Sequence, residues 1–183
     1  MNISKEKKIE MLKAVRNHLE YKLLGKQKSY LLEDEFYDEK YGLFVTLHEE
    51  GDLRGCIGLI KGIKPLRSGI IEMAESAAFQ DPRFSPVTKD ELDDIEIEIS
   101  ILSPLKEIDD WQKIIPGEHG VVMSDNFHQA VFLPQVATEQ DWDLDTMLRN
   151  LAMKARIDPE SYKDDEIKYK IFTATIFSEK DEK

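Results

Sequence analysis

A single cysteine stands in 183 residues, so the chain cannot close an internal disulfide. No stretch comes near the roughly 20 consecutive apolar residues that a membrane helix needs. The opening Met1-Asn2-Ile3-Ser4-Lys5-Glu6 has no apolar core of a secretory signal. These three absences favour the cytoplasm and argue against a membrane partner. Glycine and proline are sparse, at 9 and 7 residues. No Gly/Ser/Pro-rich linker, repeat or low-complexity run divides the sequence. One domain over residues 1–183 is the expectation, with room for two intertwined lobes.

Positive charge is also short. Lys and Arg number 25 against 37 Asp and Glu, for a net charge of −12. Such a chain repels phosphate backbones at long range, which argues against nucleic acid. The deficit is uneven, however. From Leu53 to Ile71 there is no acid, while Arg54, Lys61, Lys64 and Arg67 are basic. Either this island receives a small anion, or four cations simply point apart.

Hydrophobic residues make up 41% and charged residues 34%, the balance of a globular protein with a charged surface. Met11, Leu12, Val15, Leu19 and Leu23 repeat with helical spacing over Ser4 to Leu24, and Gly25 is a natural stop. His18 falls at the boundary of that stripe and reads as a boundary histidine rather than a ligand. Residues 30–40 read as a connecting loop. Gly42 to His48 and Leu53 to Leu59 form a hairpin about Glu49-Glu50-Gly51-Asp52. Pro65 opens a second helix lined by Leu66, Ile70, Met73, Ala74 and Ala77, and Asp81-Pro82-Arg83-Phe84 breaks it. Thr88 and Glu91 have capping-box spacing, which predicts a short helical turn.

Ile95 to Ile101 alternates isoleucine with Glu96, Glu98 and Ser100, the pattern of a strand with one buried and one wet face. Gly120–Met123 and Gln129–Leu133 form another hairpin, ended by Pro134. Asp143 is a natural N-cap for a third helix, with Trp142 and Met147 placed for a hydrophobic staple. A last strand runs over Ile167 to Phe177. Strands and helices mix without regular βαβ alternation, so the fold class is α+β with a mainly antiparallel sheet flanked by helices.

Cys56 leads the candidate chemistry. Residues i and i+2 of a strand share a face, so Arg54, Cys56 and Gly58 are expected to point together. A guanidinium beside a thiol favours the nucleophilic thiolate. Gly55 and Gly58 would let a ligand or another backbone approach closely. Equally, a free cysteine is often just a small buried hydrophobe. A base is not evident. His48 shares the face of Cys56 only if the hairpin loop is odd-numbered; an even loop would set Val45 opposite Cys56. His119 and His128 flank the second hairpin. No metal-ligand spacing, dinucleotide fingerprint or Walker motif is present, so neither a metal nor a cofactor is implied. Glu96 and Glu98 read as a solvated strand face. Gln135, after Pro134, could reach a cleft, while Trp142 reads as the staple of the third helix.

Leu53-Arg54-Gly55-Cys56-Ile57-Gly58 resembles the hallmark of the AMMECR-one domain family, called AmmeMemoRadiSam system protein A in prokaryotes. The resemblance continues through Ser76–Phe84, Glu96–Pro104, Phe132–Val136, Trp142-Asp143 and Lys154-Ala155, in the family's order. It implies an α+β fold of a larger and a smaller lobe, and a catalytic or ligand-binding site around the motif. Cys56 and Arg54 are the expected catalytic residues, and Gly55, Ile57, Gly58, Arg83 and Gln135 the expected ligand contacts. It also implies a pathway shared with Memo-like and radical S-adenosylmethionine proteins. The reaction of the family is unsettled. This chain has Ala152 and Arg156 where family members often carry a cysteine and a glycine. Two readings follow: an enzyme using Cys56 on a small anionic substrate, or a binding or scaffold module for partner enzymes.

Overall fold

Two four-stranded antiparallel sheets organise the chain in a computed structural model, which describes residues 3–30 and 32–181. The elements are α1 (Lys5–Leu24), β1 (Gly42–Glu49), β2 (Asp52–Leu59), α2 (Leu66–Phe79), β3 (Ile95–Leu102), β4 (Lys106–Ile108), β5 (Gly120–Ser124), β6 (Gln129–Phe132), α3 (Pro134–Glu139), α4 (Leu144–Ala155), β7 (Lys168–Phe172) and β8 (Ala174–Ser178). The α+β class expected from the sequence is the class observed. One sheet runs β2-β1-β3-β8 and the other β4-β7-β5-β6.

The chain divides into two units, the larger comprising residues 1–102 with 175–183, the smaller residues 103–174. In the larger unit α1 starts where Ser4 accepts the Lys7 N–H and stops at left-handed Gly25, whose N–H returns to Tyr21 O at 3.1 Å. The isoleucines Ile95, Ile97, Ile99 and Ile101 are all buried, as their period of two requires. They join Leu43, Val45 and Leu47 of β1 in one core with α1 and α2. The opposite face is not simply wet: Ser100 and Thr46 on it are buried.

In the smaller unit Asp143 caps α4 as expected, accepting the Thr146 N–H at 2.8 Å. Trp142 lies against Phe132, ring centroids 5.7 Å apart. Pro134 ends the β5–β6 hairpin by opening α3, where its missing N–H costs nothing.

Three expectations need correction. Pro65 is the N-cap of α2, one residue before its first turn. Thr88–Glu91 makes one half of the capping box, the Glu91 carboxylate taking the Thr88 N–H and hydroxyl, and the turns that follow over residues 89–94 do not become a helix. The last strand is two. Thr173 interrupts it, exchanging bonds with Ser103 (Ser103 N–H to Thr173 O at 2.8 Å, Thr173 N–H to Ser103 Oγ at 2.9 Å), so β7 serves one sheet and β8 the other.

Candidate functional site

The β1–β2 turn is the two-residue kind. Glu50 and Gly51 both have positive φ, 54° and 94°. Glu49 faces Asp52 and His48 faces Leu53. Continued unbroken, that register would set Val45 opposite Cys56. Instead it slips between Leu47 and His48, because Arg54 is an extra residue bulged out of β2. Leu47 then faces Gly55 and Thr46 faces Cys56. The loop is even, yet the bulge delivers the arrangement of an odd one, and His48 shares the face of Cys56.

The bulge also undoes the expected pairing of Arg54 with Cys56. Arg54 donates to Glu91 at 2.7 Å and lies 3.8 Å from Glu49. That bond to Arg54, with those from Thr88, holds the Glu91 carboxyl down to about 2. The cation that acts on the thiol is Arg83.

Cys56 is fixed from both sides. β2 is the outermost strand. On its open edge the Cys56 N–H donates to Asp81 Oδ2 at 2.9 Å, and its carbonyl accepts from Arg83 Nη2 at 3.3 Å. Asp81 and Arg83 are locked together, Arg83 Nη2 to Oδ2 at 2.7 Å and Nε to Oδ1 at 3.0 Å. The Asp81 side chain is 1% exposed and its carboxyl sits well below the usual range, chiefly through the Arg83 bond. A buried carboxylate and its guanidinium thus complete the hydrogen bonding of an edge residue, as another strand would. On the face of the sheet, the Thr46 hydroxyl donates to Cys56 Sγ at 3.3 Å. Burial pushes the thiol above its ordinary 9.0, while the Thr46 bond and Arg83 pull it down less strongly. At neutral pH the sulfur is therefore a thiol.

The glycines make room for the protein itself. A methyl on Gly55 would collide with the Ala77 carbonyl oxygen of α2, and one on Gly58 with the Phe44 ring. Gly55 and Ile57 face the core side, where Ile57, partly buried, packs against the large cluster. Gln135 belongs to the smaller unit, in the first turn of α3, with its Oε1 buried and without a donor among the described residues. His119 accepts the Ile115 N–H, and His128 pairs with Asp125 in the β5–β6 turn.

Three of the four cations of the basic island are matched by acids: Arg54 by Glu91, Lys64 by Glu72, and Arg67 by Asp38 at 2.7 Å. Sequence reasoning missed Thr46, Asp81 and Glu98. Glu98 faces Thr46 across β1–β3, and its carboxylate lies 4.0 Å from His48 Nε2. The signal for Asp81 was its place in Asp-Pro-Arg, where its Oδ1 accepts the Arg83 N–H in an Asx-turn. Among the described residues, no three His, Cys, Asp or Glu side chains group to hold a metal, and no helix is long and apolar enough to cross a membrane.

The family model described as AMMECR1 matches residues 12–177. The chain belongs to the AMMECR1 family. A protein of Methanothermobacter thermautotrophicus is 38% identical over 97% of this chain and 96% of its own. One from Methanocaldococcus jannaschii is 40% identical over 79% of this chain and 76% of its own. The crystal structure of an uncharacterized protein from Pyrococcus horikoshii superposes with a TM-score of 0.82 at 32% identity, covering 92% of this chain and 89% of that one. Two motifs quoted for the AMMECR1 resemblance, Leu53–Gly58 and Ser76–Phe84, are the two that meet at Cys56. Of the departures, Ala152 is fully buried in the smaller unit's core, and Arg156 ends α4 at φ 62°, the left-handed position that favours glycine.

Proposed function

We propose that this AMMECR1-family chain is a cytoplasmic binding module for partner enzymes, with Leu53–Gly58 as the rigid floor of its contact site rather than the source of a nucleophile. The observation that supports this is the setting of Cys56. Its sulfur accepts from Thr46, burial keeps it protonated, and the guanidinium beside it is already bound to Asp81. The partners proposed are the Memo-like and radical S-adenosylmethionine proteins that the family resemblance implies.

The test is Cys56→Ser together with Cys56→Ala, co-expressed with those two partners. Co-purification and pathway output equal to wild type are expected. Loss of output with folding and co-purification intact would overturn the reading.

A second reading has specific support. Thr46, Cys56, His48 and Glu98 share one sheet face. Arg54 Nη1 is buried with no acceptor among the described residues, and the Arg83 side chain is half exposed. In an enzyme, these two guanidinium groups would receive a small anionic substrate, and His48, steadied by Glu98, would serve as the base.

A further inference from the structure

His18, the boundary histidine of α1, has a more specific setting than its place in the helix required. It is buried, with Nδ1 2.5 Å from the Tyr30 hydroxyl and Nε2 3.1 Å from Glu75 Oε2. Glu75 Oε1 accepts from Lys22 at 2.9 Å. Tyr30 opens onto a groove of about 530 Å³ along α2, lined also by Arg67, Ser68, Ile71, Ser76 and Gln80.

The direction of every hydrogen bond in this chain follows from charge. The Lys22 bond holds the Glu75 carboxyl below its usual range, so it is ionised and only accepts. His18 Nε2 must therefore carry the proton. Burial holds the imidazole below its usual value against the opposing pull of Glu75; Lys22 and Lys28 add to the lowering. At neutral pH its Nδ1 is bare and must accept from Tyr30. The Tyr30 proton is thereby committed, and its oxygen is left as an acceptor.

The rest of the groove is polar and balanced in charge. Ser76 donates to Gln80 Oε1 at 3.3 Å, which leaves the Gln80 amide as a donor. Arg67 is matched by Asp38, the lining Glu72 by Lys64, and Glu75 by Lys22. Ile71 supplies a small apolar surface. We infer that this groove binds a small uncharged polyol or sugar, one hydroxyl of which donates to Tyr30 Oη while Gln80 donates to a neighbouring oxygen.

Protonation of His18 reverses the chain. Nδ1–H then donates to Tyr30, whose own O–H is released and faces the groove as a donor instead of an acceptor. The other ionisable groups facing His18 are Tyr21, Lys22, Lys28 and Glu75. Of these, Glu75 is held ionised by its Lys22 bond, so the switch belongs to His18.

The experiment is saturation-transfer NMR on the full chain with glucose, trehalose and myo-inositol at pH 7.5, where at least one should bind. Tyr30→Phe keeps the ring against His18 and should weaken binding about tenfold, the worth of one hydrogen bond. Imidazole nitrogen shifts should show His18 protonated on Nε2 at pH 7.5. No binding by any of the three, an unchanged affinity in Tyr30→Phe, or tighter binding of glucose 6-phosphate than of glucose would overturn the assignment.

Discussion

Each unit guards one edge of its sheet with side chains drawn from the motifs quoted for the family resemblance, and the two guards differ in kind. In the larger unit Asp81 and Arg83 close both polar groups of Cys56 with a carboxylate that is 1% exposed. In the smaller unit Lys154 donates to Val131 O on β6 at 3.0 Å, with its ammonium 4.8 Å from the Phe132 ring centroid. Lysine on an exposed edge is ordinary protection against stray strand pairing. A buried carboxylate is not, because it is costly unless fully satisfied. The comparison separates a replaceable edge guard from a structural junction, and Cys56 sits at the junction.

The largest break should come from Asp81→Ala. It strands the Cys56 N–H and removes the partner of Arg83, and a loss of about 3 kcal/mol is expected from denaturant unfolding. Gly55→Ala should cost about 2 kcal/mol, because the strand must move off the Ala77 carbonyl. Arg156→Gly should do the reverse, stabilising by about 1 kcal/mol through relief of a left-handed backbone at the end of α4. Lys154→Ala should change stability least, by ~0.5 kcal/mol. Equal losses in Lys154→Ala and Asp81→Ala would erase the contrast between the edges.

Acid sharpens the same contrast. Asp81 and Glu91 have folded values below their unfolded ones, so below the unfolded values the unfolded chain binds more protons and stability rises with pH. Their contribution is present in full above the unfolded range of about 4 to 4.5 and is lost as pH falls through the folded values. Thermal melts should decline steeply below pH 4.5 in wild type and less steeply in Asp81→Ala.

What could be read from the sequence differs between the units in the same way. The α4 cap was legible because Asp143 and its target are three residues apart. The isoleucine alternation of β3 was legible because period two is a local property. The surroundings of Cys56 were not. Thr46 and Asp81 lie 10 and 25 residues away, and their approach depends on one bulged residue. Arg54 beside Gly55 carried the hint, since a glycine inside a strand pattern marks a bulge as readily as a ligand approach. The parity of the turn stayed open in the sequence, and the slip that reverses its consequence left no periodic mark. His18 was visible only as a boundary residue, because Tyr30 and Glu75 reach it from other segments.

The state of the Cys56 thiol carries the account of the junction. Its most direct measure is the rate of iodoacetamide alkylation against pH in the folded chain, with Thr46→Val alongside. The account predicts slow alkylation whose midpoint lies above the ordinary thiol value of 9.0, moved higher still in Thr46→Val because a bond that favours the thiolate is gone. A rate that is already at its plateau below pH 7 would contradict it, and would place a working nucleophile at Cys56.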